Sequence, residues 1–153
     1  MDCVFCKIVA GEIPSHTIYE DDNHLAFLTI FPNTEGFSVV IPKTHQPSNF
    51  AQASEDVVLQ LTATARKVAQ QITAAYSDVE RCAAVYEGYG VNHLHAKLIP
   101  LHGTAGKDWQ PHNMNSDVYF DQYEGYISTH EPKDMADHKQ LAKVAAKIRG
   151  GSA

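Results

Sequence analysis

No run of apolar residues in this chain approaches the ~20 that a membrane-spanning helix requires, so a span is not expected. The opening residues, Met1-Asp2-Cys3-Val4-Phe5-Cys6-Lys7, contain no basic stretch leading into an apolar one. A secretory signal is therefore not expected, and the chain reads as cytoplasmic. Positive charge is not in excess either: the net charge is −6. A duplex nucleic acid partner, which needs a broad basic surface, is not expected. A small nucleotide needs only a local cradle and one or two cations, and the charge leaves that open. Internal repeats and linker-like stretches are missing as well, and 153 residues fit one domain with a real core. Cysteine is scarce and odd in number, three in all.

What is present, first of all, is alternation. The segment Glu87-Gly88-Tyr89-Gly90-Val91-Asn92-His93-Leu94-His95-Ala96-Lys97-Leu98-Ile99-Pro100 settles into a period of two. That predicts a strand over His93–Ile99, after a glycine-containing connector, Glu87–Val91. His93, His95, Lys97 and Ile99 then share one face, and Leu94, Ala96 and Leu98 share the other. Neighbours on the first face stand ~6.5–7 Å apart. Two imidazoles and an ammonium in a row suit an anion, most of all a phosphate. The triplet alone is equally compatible with two histidines on the wet face of an antiparallel strand.

Around this segment the pattern predicts short strands at His16–Glu20, His24–Ile30, Phe37–Pro42 and Arg81–Tyr86. Asp21-Asp22-Asn23 and Phe31-Pro32-Asn33-Thr34-Glu35-Gly36 read as turns. Val58, Leu61, Ala65, Val68, Ile72 and Ala75 recur at spacings of three and four, which predicts a long helix over Ser54–Tyr76. Ser54 suits its N-cap, and Glu55 and Asp56 suit its first turn. From His102 to His130 the chain reads as irregular and aromatic, with Trp109, Tyr119, Phe120, Tyr123 and Tyr126. A last helix is expected to begin near Pro132 and to run to Ile148 before Gly150-Gly151. Strands in hairpin-like succession with one long helix between the third and fourth predict an α+β fold with an antiparallel sheet.

Two of the cysteines form Cys3-x-x-Cys6. In a chain without an export signal this is a metal or redox pair, not a disulfide. A redox motif sits where a strand feeds a helix in a parallel sheet, and this pair precedes any strong strand. Cys82 stands alone in an apolar strand and reads as a small buried residue. Together with His45, just past Phe37–Pro42, and His93, the pair supplies four ligands of the kind that complete a tetrahedral zinc site. Spacing alone also admits two thiols that bind nothing.

Taken together, Cys3-Val4-Phe5-Cys6-Lys7-Ile8-Val9-Ala10-Gly11-Glu12-Ile13-Pro14-Ser15, Tyr19-Glu20-Asp21-Asp22, Leu25-Ala26-Phe27-Leu28, Val40-Ile41-Pro42-Lys43-Thr44-His45 and His93-Leu94-His95-Ala96-Lys97 resemble the histidine triad (HIT) superfamily, and within it the zinc-containing bacterial branch related to the Hint proteins. The resemblance spans about the first two thirds of the chain. It implies a five-stranded antiparallel sheet with two main helices, commonly extended to ten strands in a homodimer. It implies a single HIT-like domain over 1–153, with a core over 1–101 that carries a zinc knuckle and the histidine row. Residues 102–153 then form the aromatic segment and the C-terminal helix. By position, Cys3, Cys6, His45 and His93 match the ligands of a structural zinc, and His95 matches a nucleophile that forms a nucleotidyl-histidine intermediate.

The implied activity is that of a nucleotide hydrolase or nucleotidyl transferase. It would act at the α-phosphate of a nucleoside phosphoramidate or a dinucleoside polyphosphate. His93 is tied to metal and Lys97 is protonated near neutral pH, which also leaves His95 as the base with a free lone pair. Lys97 is expected to clamp phosphate charge, and Thr29, Phe31, Lys97 and His102 are the expected nucleotide contacts. Some positions depart from the family pattern. The third histidine of H-x-H-x-H is Lys97, Phe37 stands where many members have histidine, and Thr29 stands where an aspartate often meets the ribose. The connector lacks the usual Gly-Gln-Ser run. The alternative is a zinc-stapled nucleotide-binding module with little or no turnover.

Overall fold

A computed structural model gives the fold and describes residues 2–106, 108, 121–122 and 134–150. Most of the expected aromatic segment, including Trp109, Tyr119, Phe120, Tyr123 and Tyr126, lies outside the described residues, as does Pro132.

Five strands form one antiparallel sheet: β1 (Thr17–Glu20), β2 (His24–Leu28), β3 (Ser38–Pro42), β4 (Arg81–Val85) and β5 (Ala96–Leu101). Their spatial order is β1-β2-β3-β5-β4. The turn between β1 and β2 is closed by Asp21, whose Oδ1 accepts from the backbone N–H of Asn23 and His24 at 2.9 and 2.7 Å. An aspartate that bonds backbone groups just ahead of it is the physical content of a turn signal.

Both faces of the sheet are covered, which is why every residue of β2 and β3 is buried. On one face, Ala26, Leu28, Val40, Leu94, Ala96 and Leu98 pack against the long helix α2 (Glu55–Ala75) and against α3 (His138–Ile148). The buried stripe of α2 is Leu61, Thr64, Ala65, Val68 and Ile72. Each large apolar side chain in it stabilises the fold by about 1.5–3 kcal/mol. On the other face, Leu25, Phe27, Val39 and Ile41 pack against a short helix, α1 (Val4–Val9), through Phe5 and Cys3. The fold is therefore α+β, with the five-stranded antiparallel sheet and two main helices that the strand pattern implies.

Strand ends shift from the sequence reading by up to three residues, one helix starts later and another was not expected. β5 begins at Ala96, so His93, Leu94 and His95 precede the paired strand. Their side chains alternate all the same, because Leu94 joins the helix-side core while His93 and His95 both contact Phe5. α3 begins at His138, not near Pro132, because Asp137 caps it by accepting from the Gln140 N–H at 2.9 Å. α1 is not legible from periodicity: six residues are too few to show a face or to hold a helix unaided.

Candidate active site and metal centre

The α1 face of the sheet carries the chemistry. The four side chains Cys3, Cys6, His45 and His93 converge, with their ligand atoms within 4.8 Å of one another. Sγ of Cys3 stands 3.5 Å from Nδ1 of His93, and Sγ of Cys6 stands 3.4 Å from Nδ1 of His45 and 3.6 Å from Nδ1 of His93. A tetrahedral ion with zinc-like bond lengths separates a sulfur from a nitrogen by roughly 3.6 Å. The donors thus already sit at the edge lengths of such a tetrahedron.

The second shell agrees. Nε2 of His93 donates to the carbonyl of Pro42 at 2.8 Å, which fixes the tautomer and leaves the Nδ1 lone pair facing the sulfurs. Burial, and then His45 and His95, push the His93 imidazole below its ordinary pKa and hold it neutral, as a ligand must be. Burial and the neighbouring Cys3 hold the Cys6 thiol above its usual range, a penalty that a cation between the two sulfurs would reverse. The residues fit a tetrahedrally bound metal ion.

His95 lies next to this centre and is 2% exposed. Its Nδ1–H donates to the carbonyl of His93 at 2.7 Å, so Nε2 carries the lone pair. The ring packs edge-on against Phe5, with centroids 5.6 Å apart, and Phe5 meets His93 in the same way at 5.8 Å. Burial first, and the Lys97 charge after it, keep His95 below its ordinary pKa, so it is neutral at pH 7.

His95 opens into a cleft of about 290 Å³ whose walls are mainly apolar, with Phe27, Phe31, Phe37 and Val39 from the sheet side and Val4, Phe5 and Ile8 from α1. Thr29 and Lys97 line the same cleft. The structure therefore gathers His95, Lys97, Thr29 and Phe31 around one cavity.

His102 is not brought there. It stands at the far end of β5, with Nδ1 3.0 Å from Oδ2 of Asp78 and Nε2 3.0 Å from the carbonyl of Glu35. Both ring nitrogens face acceptors, an arrangement that favours the protonated ring. Its pKa is raised, first by the Glu35 carbonyl and then by Asp78.

Two functional neighbours escape the sequence reading. One is Phe5, the shared wall of both histidines. The other is Glu87, whose carboxylate pairs with the Lys97 ammonium. A carboxylate in the connector just before the histidine row was visible in the sequence, and nothing in its spacing says that it turns inward.

A family model described as the HIT domain matches residues 10–104. Protein hit of Bacillus subtilis is 35% identical over 118 residues, which cover 72% of this chain and 81% of that protein. Adenosine 5'-monophosphoramidase hnt1 of Schizosaccharomyces pombe is 33% identical over 100 residues, covering 65% of this chain and 74% of that one. A zinc-bound histidine triad family protein from Mycobacterium smegmatis, a crystal structure, superposes with a TM-score of 0.68 over 98% of this chain and 92% of that chain. At 23% identity that likeness speaks for the fold alone. The family match takes in most of the sheet and both residues His93 and His95, and the chain belongs to the HIT domain family.

Proposed function

We propose that this protein is a nucleotide hydrolase or nucleotidyl transferase that works through a covalent nucleotide on His95. The observation that carries the reading is the state of His95. It is buried and neutral, its Nδ1–H is occupied by the His93 carbonyl, which leaves the Nε2 lone pair, and the residue lines a cleft of about 290 Å³. An imidazole in that state is a nucleophile at neutral pH. The hnt1 relative, by its name an adenosine 5'-monophosphoramidase, supports the substrate class.

In the reaction the Nε2 lone pair attacks the α-phosphorus. The Nε2–P bond forms, the bond from phosphorus to the leaving amine or phosphate breaks, and the leaving group takes up a proton from solvent, to which the water or acceptor of the second step returns one. The ring becomes an imidazolium, and the His93 carbonyl that accepts from Nδ1–H stabilises it. Water, or an acceptor alcohol or phosphate, then attacks phosphorus from the opposite side and returns the lone pair to Nε2. Lys97 donates to the phosphate oxygens. Phe31 and Phe37 offer apolar faces to the base. The Thr29 hydroxyl accepts from the Phe31 N–H at 3.2 Å, so its own proton is left to donate to the ribose.

Cys3, Cys6, His45 and His93 would hold one zinc ion, which supplies a structural tie between the N-terminal helix and the sheet. A homodimer with a ten-stranded sheet fits β4, which is an edge of the five-stranded sheet. Sedimentation at micromolar concentration tests that assembly.

A second reading, a nucleotide-binding module with little turnover, has one observation in its favour. Lys97 replaces a third imidazole and is already paired with Glu87, so no neutral base flanks His95 on that side. Covalent trapping separates the two. Acid-quenched protein incubated with an adenosine 5'-phosphoramidate should carry the adenylyl group on His95, identified by peptide mass. The parent showing no label, with bound nucleotide intact, would overturn the enzyme and leave the binding module.

A further inference from the structure

The Glu87–Lys97 pair is largely withdrawn from solvent, though neither residue is fully buried, with side chains 7% and 12% exposed. Burying two charges costs more in lost hydration than an apolar pair of the same size, so stability does not explain it. Its location suggests a use. Lys97 sits between Val39 and Val85 in the sheet register, on the face that carries His95. Among the described residues that line the cleft, it alone carries a formal charge. Glu87 pairs with the ammonium and is not among the residues that line the cleft.

The carboxylate is also held in place. The residue after it, Gly88, has φ +75°, and a Cβ there would lie 2.6 Å from the carbonyl oxygen of Ser48. Further along the connector, Oδ1 of Asn92 accepts from the Ser48 N–H at 3.0 Å. The connector thus lies against Ser48 at Gly88 and is hydrogen-bonded to it at Asn92, which fixes the backbone that carries Glu87.

We propose that Glu87 is a specificity-determining residue that sets the charge a ligand may bring: by pairing with Lys97 it offsets the one formal charge that the described lining brings to the cleft, so the site takes a nucleotide with a singly charged α-phosphate and turns away polyphosphate chains. This rests on the reading of the cleft as a nucleotide site. A lone phosphate charge can be met by the N–H dipoles of a neutral pair. Each further phosphate must give up hydration in an apolar cleft whose described lining offers no second cation. The family's nucleophile does not decide this; the second layer behind Lys97 does.

The test is equilibrium binding of two probes that resist cleavage at the α-phosphorus, adenosine 5'-monophosphate methyl ester and α,β-methylene ATP. The ratio of their affinities is measured in the parent, Glu87→Gln, Lys97→Gln and the double variant. Glu87→Gln should shift the ratio toward the triphosphate by about tenfold, because Lys97 is then unopposed. Lys97→Gln should shift it the other way. The double variant, again without net charge, should return to within about twofold of the parent. It also leaves no buried charge unpaired, so it and Lys97→Gln carry the test where Glu87→Gln does not fold. An unchanged ratio in Glu87→Gln overturns the proposal, and so does a double variant displaced as far as that single one. Binding of neither probe to the parent overturns it as well. Failure to trap nucleotide on His95 leaves these ratios readable, so the two readings fail separately.

Discussion

His95 and His102 bracket β5, and each imidazole is held by a backbone carbonyl, yet they end in opposite states. His95 gives one N–H to the His93 carbonyl and keeps its other nitrogen bare. Burial then holds it neutral. His102 faces the Glu35 carbonyl with one ring nitrogen and the Asp78 carboxylate with the other, so its protonated form is favoured and ties two turns together. His93 follows the His95 pattern, with Nε2 on the Pro42 carbonyl and Nδ1 turned to the sulfurs. A histidine that does chemistry or binds metal has one nitrogen occupied and one open. A histidine that braces the fold has both occupied. The sequence shows the same residue type in each case; the number of acceptors in reach divides them.

Exchanging the roles is the strongest test of this division. His95→Asn should lower turnover of an adenosine phosphoramidate by at least about a thousandfold, while His102→Asn should change it less than about threefold. Steady-state rates on both variants, with circular dichroism to verify folding, decide the matter. Equal losses would break the comparison.

Metal removal acts on one end of β5 alone. Stripping with a chelator at neutral pH should lower the thermal midpoint by roughly 10 °C, since a bound structural ion contributes directly to folding. In NMR spectra the His93 and His45 rings should shift and the His102 ring should not. A midpoint unchanged after verified metal loss would remove the structural role.

A smaller effect sharpens the His95 end. Gly88→Ala places a Cβ against the Ser48 carbonyl at a positive φ. The cost should be about 2 kcal/mol in denaturant unfolding, because strain and overlap add. Substitution at Gly90, also at positive φ but with nothing near its Cβ position, should cost less.

The smallest effect is the pH dependence of the His102 brace. Its folded pKa is above the unfolded value of about 6.5, so its contribution is complete below that pH and is lost as pH rises through the folded pKa. Asp78 is depressed, first by the hydrogen bond from His102, so its share is present above its ordinary carboxylate value and is lost as pH falls through the folded one. The difference in thermal midpoint between parent and His102→Asn should therefore be widest between about pH 4 and 6.5 and should narrow toward pH 8.5. A difference constant across that range would mean that His102 braces the fold by shape and not by charge.

Much of this was legible in the chain. Alternation from His93 to Ile99 gave the faces correctly, and the stripe Leu61-Ala65-Val68-Ile72 gave α2 almost to its ends. Cys3, Cys6, His45 and His93 could be named as a candidate set from the sequence and the resemblance, while spacing alone also admitted two thiols that bind nothing; the fold brings their ligand atoms within 4.8 Å of one another. What could not be read was set by contacts distant in sequence. Glu87 looks like an ordinary loop carboxylate until the sheet brings Lys97 to it. Phe5 looks like a residue of a cysteine motif until α1 lies down on β2 and β3. His102 looked available because no local pattern announces that Asp78 and the Glu35 carbonyl, from two other turns, both reach it.

The helix α1 has a consequence for the order in which the molecule assembles. Its six residues cannot hold a helix alone, and its partners lie elsewhere in the chain: Phe5 packs on Phe27, and the cysteines beside it reach His45 and His93. Closing those loops costs chain entropy that no contact within the helix offsets. The helix should therefore dock after the sheet exists and be among the first elements to detach on local unfolding. Since Val4, Phe5 and Ile8 are one wall of the cleft, a folded sheet is not yet a finished site. Amide exchange in α1 should outpace exchange in β3, and recovery of activity on refolding should trail recovery of the sheet.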